Sequence, residues 1–240
     1  MMQPPPLDSP PNTLSAAVLS RLREDLKANR FEPGSKLRFE DMKEIYQVGL
    51  APLREALMRL SEVGLVVQTG QKGFRVPPAS ADDLRDVIET RRFLELRVLE
   101  DSLQHGDEQW ESRVVASLYR FSKFSKRAPS TPAERAEWER HHTDLHRALV
   151  SGAKSRWLLQ FWSTVFDQAE RYRRLAIKGG HWPSDELKRH EELVEAALER
   201  NTKKAVDLLR RHIGGSAERL MPGLQPLVSQ LPTTKRRTKA

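Results

Sequence analysis

The sequence predicts a mainly α-helical protein with two parts, an N-terminal unit of three helices and a β-hairpin and a C-terminal all-α antiparallel helical bundle. Apolar residues recur at helical spacing along most of the 240 residues. Two β-rich runs, "LVVQT" and "FRVP", are separated only by "GQKG" and predict the hairpin. Proline crowds the start of the chain, and lysine and arginine crowd its end. These compositions predict a disordered lead at 1–12 and a basic flexible tail at 223–240.

Within the N-terminal unit, residues 13–78, leucine and valine recur every four positions over 14–28 and predict the first helix. The segment "FEPG" ends it with Pro33 and Gly34. Two more helices are predicted from apolar residues that share a helical face, which are Phe39, Met42, Ile45 and Tyr46, then Leu53, Ala56, Leu57 and Leu60. Three helices followed by a hairpin are the layout of a winged helix-turn-helix domain.

Basic residues fall where such a domain meets DNA. A recognition helix presents its N-terminal turns to the major groove, where an arginine can donate two hydrogen bonds to guanine. Arg54 lies one turn into the third helix, and Arg59 follows on the same exposed side. Arg38 precedes the second helix, and Lys72 and Arg75 belong to the hairpin, where cations contact phosphates. Any one of them, taken alone, is more often an ordinary solvated cation, but together with the order of the elements they predict a DNA-binding surface.

Charge and composition narrow the classes of protein. The net charge is +8, and residues 13–78 and the end of the tail hold most of the basic excess, which is consistent with a polyanionic partner. The absence of cysteine excludes disulfides, zinc ribbons and thiol catalysis, and suits a reducing compartment. No apolar run is long enough to span a membrane, and the N-terminus lacks the pattern of a signal peptide. We therefore expect a cytoplasmic protein.

The remainder, residues 79–222, has the pattern of a helical bundle. Ser80 and Asp83 form a capping signal, and Thr131, Pro132 and Glu134 form another. Six helices are predicted, at about 81–103, 107–127, 132–151, 155–178, 184–200 and 202–219. Long amphipathic helices with short connections favour an antiparallel arrangement.

Histidines in this bundle are candidates for a metal site. Three of the seven histidines lie in "HHTDLHRALV", and His142 and His146 are four residues apart, on one helical face. His190 and His212 fall on two later helices. Neutral imidazoles on facing helices suit zinc or nickel, although buried or surface polar roles are the alternative. The other histidines have no such pattern and are expected to be solvated, namely His105, His141 and His181.

A long run of the N-terminal unit is similar to a known family. The run "FEPGSKLRFEDMKEIYQVGLAPLREALMRLSEVGLVVQTGQKGFRV" resembles the DNA-binding domain of GntR-family bacterial transcription regulators. The matching pieces are the "PG" and "KL" after the first helix, "PLREAL", "GLV" and "KGFRV". The resemblance implies that Arg54 contacts operator DNA. Gly49 and Leu50 depart from the Ser or Thr and the Arg that the family often has there, which implies a different half-site sequence.

The helical part is similar to the FCD ligand-binding domain of the FadR-type subgroup. The segment "DLRDVIETRRFLELRVLE" resembles its opening helix, and a count of six helices resembles the shorter, VanR-like form. Such domains commonly hold a metal with D-x-x-x-H on one helix and one histidine on each of two later helices. The resemblance implies His146, His190 and His212 as ligands, with His142 at the aspartate position. A four-histidine site and a three-histidine site both remain open.

The resemblance also implies an effector, a small organic acid or sugar acid bound near the metal. Arginine can clamp a carboxylate bidentately, and Arg91 and Arg92 on the opening helix are candidates. The expected function is a transcriptional regulator, by default a repressor, that binds a pseudo-palindromic operator as a homodimer. One alternative is a metal-dependent enzyme with Glu191 or Glu192 as its base, although no nucleophile, phosphate or dinucleotide motif is present. Another is a regulator for which the metal itself is the signal.

Overall fold

The structure, a computed structural model, describes residues 14–70, 73–126, 128–178 and 185–228. It divides into two compact units, Met1–Ala79 and Ser80–Ala240. The predicted lead at 1–12 lies outside the described residues. None of the helices in the described part of the chain is long and apolar enough to cross a membrane.

In its described residues, the first unit contains three helices and a two-stranded sheet. Its elements are α1 (Leu14–Lys27), α2 (Phe39–Tyr46), α3 (Leu50–Glu62), β1 (Val67–Thr69) and β2 (Gly73–Arg75). Leu22 of α1, Leu53 and Leu57 of α3 and Phe74 of β2 are all buried in one core. The Tyr46 hydroxyl donates to Asp25 at 2.6 Å and joins α2 to α1. The three helices and the hairpin that the sequence predicts are therefore present.

The hairpin has an additional edge that the sequence did not reveal. β1 and β2 pair antiparallel, with Val67 opposite Arg75. Lys36 forms a further antiparallel bridge to Arg75, and the Leu37 amide donates to the Phe74 carbonyl at 2.9 Å. The segment before α2 is thereby fixed to the hairpin, so that Lys36 lies beside it as an exposed cation.

The second unit is built from helices alone in its described residues. They are α4 (Ala81–His105), α5 (Glu108–Ser125), α6 (Pro132–Val150), α7 (Arg156–Lys178), α8 (Glu186–Leu198), α9 (Thr202–Gly214) and α10 (Ser216–Val228). Both predicted caps are formed, because Ser80 accepts from the Asp83 amide and Thr131 makes a complete capping box with Glu134. These local signals position the starts of α4 and α6.

The end of this unit corrects the predicted boundaries. Where the sequence predicted one helix at 202–219, the structure breaks at Gly215 and begins a new helix that continues to Val228. The described unit thus has seven helices rather than six, and the resemblance to the six-helix form loses its support. Residues 223–228 are helical rather than tail, and 229–240 lie outside the described residues. A Cβ at Gly223 would lie 2.4 Å from the Ala176 carbonyl oxygen, so α10 packs closely on α7 and is helical despite its proline and glycine.

α4 and α7 lie antiparallel along each other. At one end the Lys154 and Ser155 amides donate to Asp101 at 2.8 and 3.1 Å. At the other end the Tyr172 hydroxyl donates to Asp83 at 2.5 Å and accepts from the Ser80 amide at 3.1 Å. This pair of helices forms one wall of the site described next.

Candidate metal centre and DNA-reading surface

Four histidines from three helices converge inside the bundle. α6 contributes His142 and His146, α8 contributes His190, and α9 contributes His212. One nitrogen from each ring lies within 4.8 Å of all the others, and each residue is 7% exposed or less. The Nε2 atoms of His146 and His190 are 3.1 Å apart. Two nitrogens bonded to one tetrahedral zinc ion at about 2.0–2.1 Å would have a similar separation, so the donor set fits such an ion.

Aromatic rings enclose this histidine cluster. The His142 ring stacks on Trp138 at 5.1 Å between centroids, and the His190 and Phe121 rings meet edge-to-face with centroids 5.1 Å apart. On α6, Trp138, His142 and His146 follow one another every four residues, so one helical face supplies both ligand candidates and part of their apolar wall. The imidazoles are consequently held in place and shielded from water.

Hydrogen bonds orient two of the rings. His146 Nδ1 lies 2.9 Å from Glu95 Oε1, and Glu95 in turn accepts two hydrogen bonds from Arg91 at 2.5 and 3.2 Å. His190 Nδ1 donates to the Glu186 carbonyl at 2.6 Å. Each Nδ1 that donates in this way leaves the Nε2 lone pair of its ring free for a metal, which is the usual arrangement around a bound ion.

His142 differs, and its environment bears on whether it is a ligand. Its buried Nδ1 makes no hydrogen bond within the described part of the chain. Glu170 Oε1 lies 3.7 Å from that nitrogen, beyond hydrogen-bonding distance. A buried nitrogen without a partner is costly, and a bound ion would satisfy it. The set of residues therefore fits a four-histidine site better than a three-histidine one.

The protonation states also suit a metal. Burial, followed by the positive charge of Arg173, lowers the pKa of His142 well below its ordinary value, and burial lowers that of His190 to about 4. Burial raises the pKa of Glu95, but the charge of Arg91 and the hydrogen bond with His146 outweigh this and hold the pKa at about 2. At neutral pH the two imidazoles are neutral and the carboxylate is ionised. Four imidazoles suit zinc, nickel or copper better than magnesium, calcium or manganese.

A small cavity of about 30 Å³ adjoins the cluster and is lined by His142, His212 and three arginines. Two of these arginines are neutralised, because Arg91 pairs with Glu95 and Arg173 pairs with Glu139 and Glu170. The third, Arg219, donates to the His212 carbonyl and, at 3.0 Å, to the Ser216 hydroxyl. Arg219 forms no ion pair with any described residue. It is the cavity cation best able to accept an anionic ligand.

The predicted effector residues are therefore only partly brought together. Arg91 lines the cavity, whereas the Arg92 side chain is 40% exposed on the outer face of α4 and pairs with Glu89 at 2.5 Å. Sequence reasoning missed Arg173 and Arg219. Arg219 follows His212 by seven residues, which is two helical turns. Because it lies at the predicted end of the last helix, nothing in the sequence indicated that it belongs to the site.

The histidines expected to be solvated differ among themselves. His141 is only 3% exposed, because its ring stacks on Phe124 at 4.6 Å between centroids. It lies outside the cluster, although the prediction of a solvated ring is wrong. The His105 side chain is 26% exposed and its Nδ1 lies 3.0 Å from Asp101, whereas His181 lies outside the described residues.

In the first unit, α3 exposes a mixed surface at its N-terminal end. Leu50 is 45% exposed at its first position, and Arg54 is exposed one turn later with its guanidinium 5.8 Å from the centre of the Phe39 ring. Arg59 pairs with Glu55 at 2.7 Å and remains exposed. A side chain at Gly49 would meet nothing within 4 Å. This end of α3 is thus open to a partner.

The cations that flank α3 differ in their exposure to solvent. Arg38 is exposed immediately before α2. Arg75 is partly buried and donates to the Gly34 carbonyl at 3.0 Å, which ties it to the turn after α1. Lys36 is exposed beside it and was missed because nothing in the sequence places it on the hairpin, whereas Lys72 lies outside the described residues.

Both units match established families. The profile of bacterial regulatory proteins of the gntR family matches residues 14–76, and that of the FCD domain matches residues 86–215. The chain belongs to the GntR family of bacterial transcriptional regulators and carries an FCD domain. It is 38% identical to the HTH-type transcriptional regulator BphR of Paraburkholderia xenovorans over 85% of this chain and 84% of that protein. It is 33% identical to the HTH-type transcriptional repressor GlaR of Escherichia coli over 80% of this chain and 89% of that protein.

Solved structures share the fold of this GntR-family chain. Escherichia coli McbR/YncC superposes with a TM-score of 0.71 at 17% identity, over 91% of this chain and 98% of that one. A GntR transcriptional regulator from Rhodococcus gives a TM-score of 0.70 at 22% identity, over 87% and 97%. The predicted fold class and family are thereby confirmed. The family and the named relatives are transcriptional regulators rather than enzymes, which decides against the enzyme alternative.

Proposed function

We propose that this DNA-binding regulator is a repressor in the cytoplasm whose operator affinity is controlled by a small carboxylate bound next to a metal in the helical unit. The observation that carries the metal is the buried cluster of four convergent histidines. The name of the Escherichia coli relative, a transcriptional repressor, supports the sign of the regulation. Both operator half-sites would be read by a homodimer, as is typical of GntR regulators.

The metal in this proposal is zinc or nickel, held by His142, His146, His190 and His212. With four imidazoles bound, the ion would have to accept a fifth ligand in order to act as a Lewis acid toward a carboxylate oxygen. Glu95 orients His146, and the charge of its carboxylate is balanced by Arg91.

The carboxylate is proposed to bind at the cavity beside the cluster. Arg219 is the candidate clamp, because Arg91 and Arg173 are already held by carboxylates of the protein itself. The cavity, at about 30 Å³, has room for one or two water molecules. A small acid therefore requires Arg219, a partly buried residue of the cavity lining, to move aside and then close on it.

In the first unit, Arg54 is proposed to read a guanine in the major groove, and Leu50 is placed to contact a thymine methyl group. Arg38, Arg59, Lys72 and Arg75 are proposed to contact phosphates, and Lys36 joins them. Phosphate contacts make binding strongly salt-dependent, with a slope set by the number of ion contacts.

The decisive experiment combines a genome-wide footprint with operator-binding measurements in which the zinc and the acid bound to the helical unit are controlled. We expect a short inverted repeat to be protected, and operator affinity of the zinc-loaded protein to fall when a panel of small organic and sugar acids is added. A footprint that is absent at all genomic sites would contradict the proposal. The second candidate function is a metal-responsive regulator, for which chelation of the metal alone would change operator affinity. A change in operator affinity when an acid is added at constant zinc would favour the carboxylate-controlled repressor over this second candidate.

A further inference from the structure

The cavity beside the histidine cluster has an acidic side chain in its wall that the site described above does not use. Glu186, the first residue of α8, lines the cavity together with Arg219. Its side chain is 10% exposed, and Arg189 holds its Oε1 atom at 3.2 Å. The other oxygen, Oε2, is buried and accepts no hydrogen bond from any described residue. The carboxylate is thus fixed on one side and unsatisfied on the other.

The two histidines beside Glu186 do not satisfy this oxygen. His190 Nδ1 is 3.4 Å from Oε2, but it donates to the Glu186 backbone carbonyl at 2.6 Å. His212 Nδ1 is 3.9 Å from Oε2, which is beyond hydrogen-bonding distance. A buried carboxylate oxygen that lacks a donor costs free energy, and such groups in native proteins usually have a function. A donor group on a ligand in the cavity would satisfy it.

The rest of the cavity wall indicates what else such a ligand carries. Arg219 forms no ion pair with any described residue, so it is open to a carboxylate. Apolar side chains complete the wall, namely Ile88, Ala169 and Leu220. A few polar groups in an apolar wall are the usual way in which a pocket fixes the orientation of a small molecule. The matching ligand has a carboxylate, a hydrogen-bond donor and a short carbon chain.

The charges around Glu186 favour a hydroxyl over an ammonium group as this donor. Arg189 already balances the charge of the Glu186 carboxylate, and Arg219 lies in the same wall. An ammonium group would add positive charge next to these arginines and to the proposed divalent ion. A hydroxyl donates a hydrogen bond without adding charge. An acid with neither group would leave Oε2 unpaired.

We propose that Glu186 determines the specificity of this cavity and selects a short hydroxy acid, whose hydroxyl donates to Glu186 Oε2 while its carboxylate binds Arg219. The proposal rests on the proposed function, because it takes the same cavity as the effector site. It narrows the effector from small carboxylates in general to those that carry a hydroxyl. Because hydrogen bonds to charged groups are the stronger ones, loss of the hydroxyl should weaken binding on the order of 10- to 100-fold.

The first test is calorimetric titration of the zinc-loaded, full-length protein with acids that differ in one group. The matched pairs are 2-hydroxybutyrate with butyrate and malate with succinate, and 2-aminobutyrate and aspartate are the ammonium counterparts. We expect the hydroxy acid of at least one pair to bind on the order of 10- to 100-fold more tightly than its parent acid. The ammonium counterpart should bind no more tightly than the parent. Hydroxy acids that bind no better than their parents, or ammonium compounds that bind best, would overturn the proposal.

Substitution of Glu186 tests whether this residue is the source of the preference. Glu186→Met keeps the length of the side chain but removes the carboxylate, so the hydroxy acid and its parent should bind equally. Glu186→Gln keeps the shape with a neutral oxygen and should retain a preference that is several-fold smaller, which provides a second variant if the first does not fold. Glu191→Met is the matched control, because Glu191 is exposed on the same helix. A full preference for the hydroxy acid in Glu186→Met would contradict the proposal.

Zinc content, measured by mass spectrometry on the same samples, separates a ligand contact from support of the histidines. Glu186→Met should keep its zinc and lose only the preference for the hydroxyl. A variant that loses both would show that Glu186 acts through His190 and His212, which would overturn its role as a contact to the ligand.

The titration needs no DNA, so its outcome is separate from that of the proposed function. A preference for the hydroxyl that depends on Glu186, in a protein whose operator affinity no acid changes, would uphold the specificity of the cavity and contradict the carboxylate-controlled repressor. Butyrate or succinate that lowers operator affinity as strongly as its hydroxy counterpart would do the reverse.

Discussion

The two units of this protein present their functional groups in opposite ways. Around α3 the candidate groups are exposed, with Arg54 at the surface and Leu50 45% exposed. In the helical unit they are buried, and His190 and Glu95 are at most 1% exposed. A surface that binds the polyanion DNA needs accessible cations. A metal ion, in contrast, is held best by neutral nitrogens that water does not reach. Substitutions in the first unit should therefore change affinity alone, and those in the second should change affinity and stability together.

Removal of a ligand candidate should give the largest effect. His190→Ala removes one of the four nitrogens and leaves a cavity beside Phe121, so we expect zinc affinity to fall on the order of 100-fold or more and thermal stability to fall with it. The measurement is zinc content by mass spectrometry, together with titration against a competing chelator. His105→Ala is the control, since His105 lies outside the cluster and is partly exposed.

The same titration decides the number of ligands. His142→Ala should weaken zinc binding to a degree similar to His190→Ala, because the Nδ1 of His142 is buried and makes no hydrogen bond among the described residues. Zinc affinity that is unchanged in His142→Ala but lost in His190→Ala would leave a three-histidine site. Unchanged affinity in both would show that the cluster holds no metal.

The residue behind a ligand should matter less than the ligand itself. Glu95→Gln keeps the shape of the side chain but removes the charge that orients His146 and neutralises Arg91. We expect a 10- to 100-fold loss of zinc affinity and a lower melting temperature. Glu137→Gln, which alters an exposed pair with Arg140, should change neither quantity. Equal behaviour of the two variants would argue against a role for Glu95 at the metal.

The helical unit shows which features the sequence could predict and which it could not. Local signals were sufficient for the capping box at Thr131 and for the four-residue spacing of His142 and His146. The contact between Glu95 and His146 joins residues 51 positions apart, and no local pattern contains it.

Helix α10 also shows that local sequence preferences alone do not determine the structure. Pro222 and Gly223 are helix-breaking residues in isolation, and they lie just beyond 219, where the sequence predicted the last helix to end. The close packing of Gly223 on Ala176 outweighs that local preference and keeps α10 helical. Arg219 was missed for the same reason, because its place beside the cavity depends on the turn at Gly215.

In the N-terminal unit, Arg54→Ala should weaken operator binding without unfolding the domain. Loss of a bidentate contact to guanine costs about 2 kcal/mol, or about 30-fold in Kd, while the free energy of unfolding changes by less than about 0.5 kcal/mol because the side chain is exposed. Fluorescence anisotropy at fixed salt and chemical denaturation measure the two quantities. Arg140→Ala removes the same charge from an exposed site in the helical unit and should leave Kd unchanged. A fall in stability equal to the fall in affinity would erase the contrast between the two units.

The smallest expected effect is on base preference at a single position. Leu50 replaces the arginine that the family often has there, and its exposed apolar side chain at the start of α3 is suited to the methyl group of thymine. Leu50→Ala should reduce discrimination between thymine and uracil at one base pair of each half-site by about 1 kcal/mol, or about 5-fold, with little change elsewhere. Competition between operators that differ only in that methyl group measures it. If Leu50→Ala weakens binding equally to both operators, the leucine contributes to the docking of α3 and not to the reading of the base.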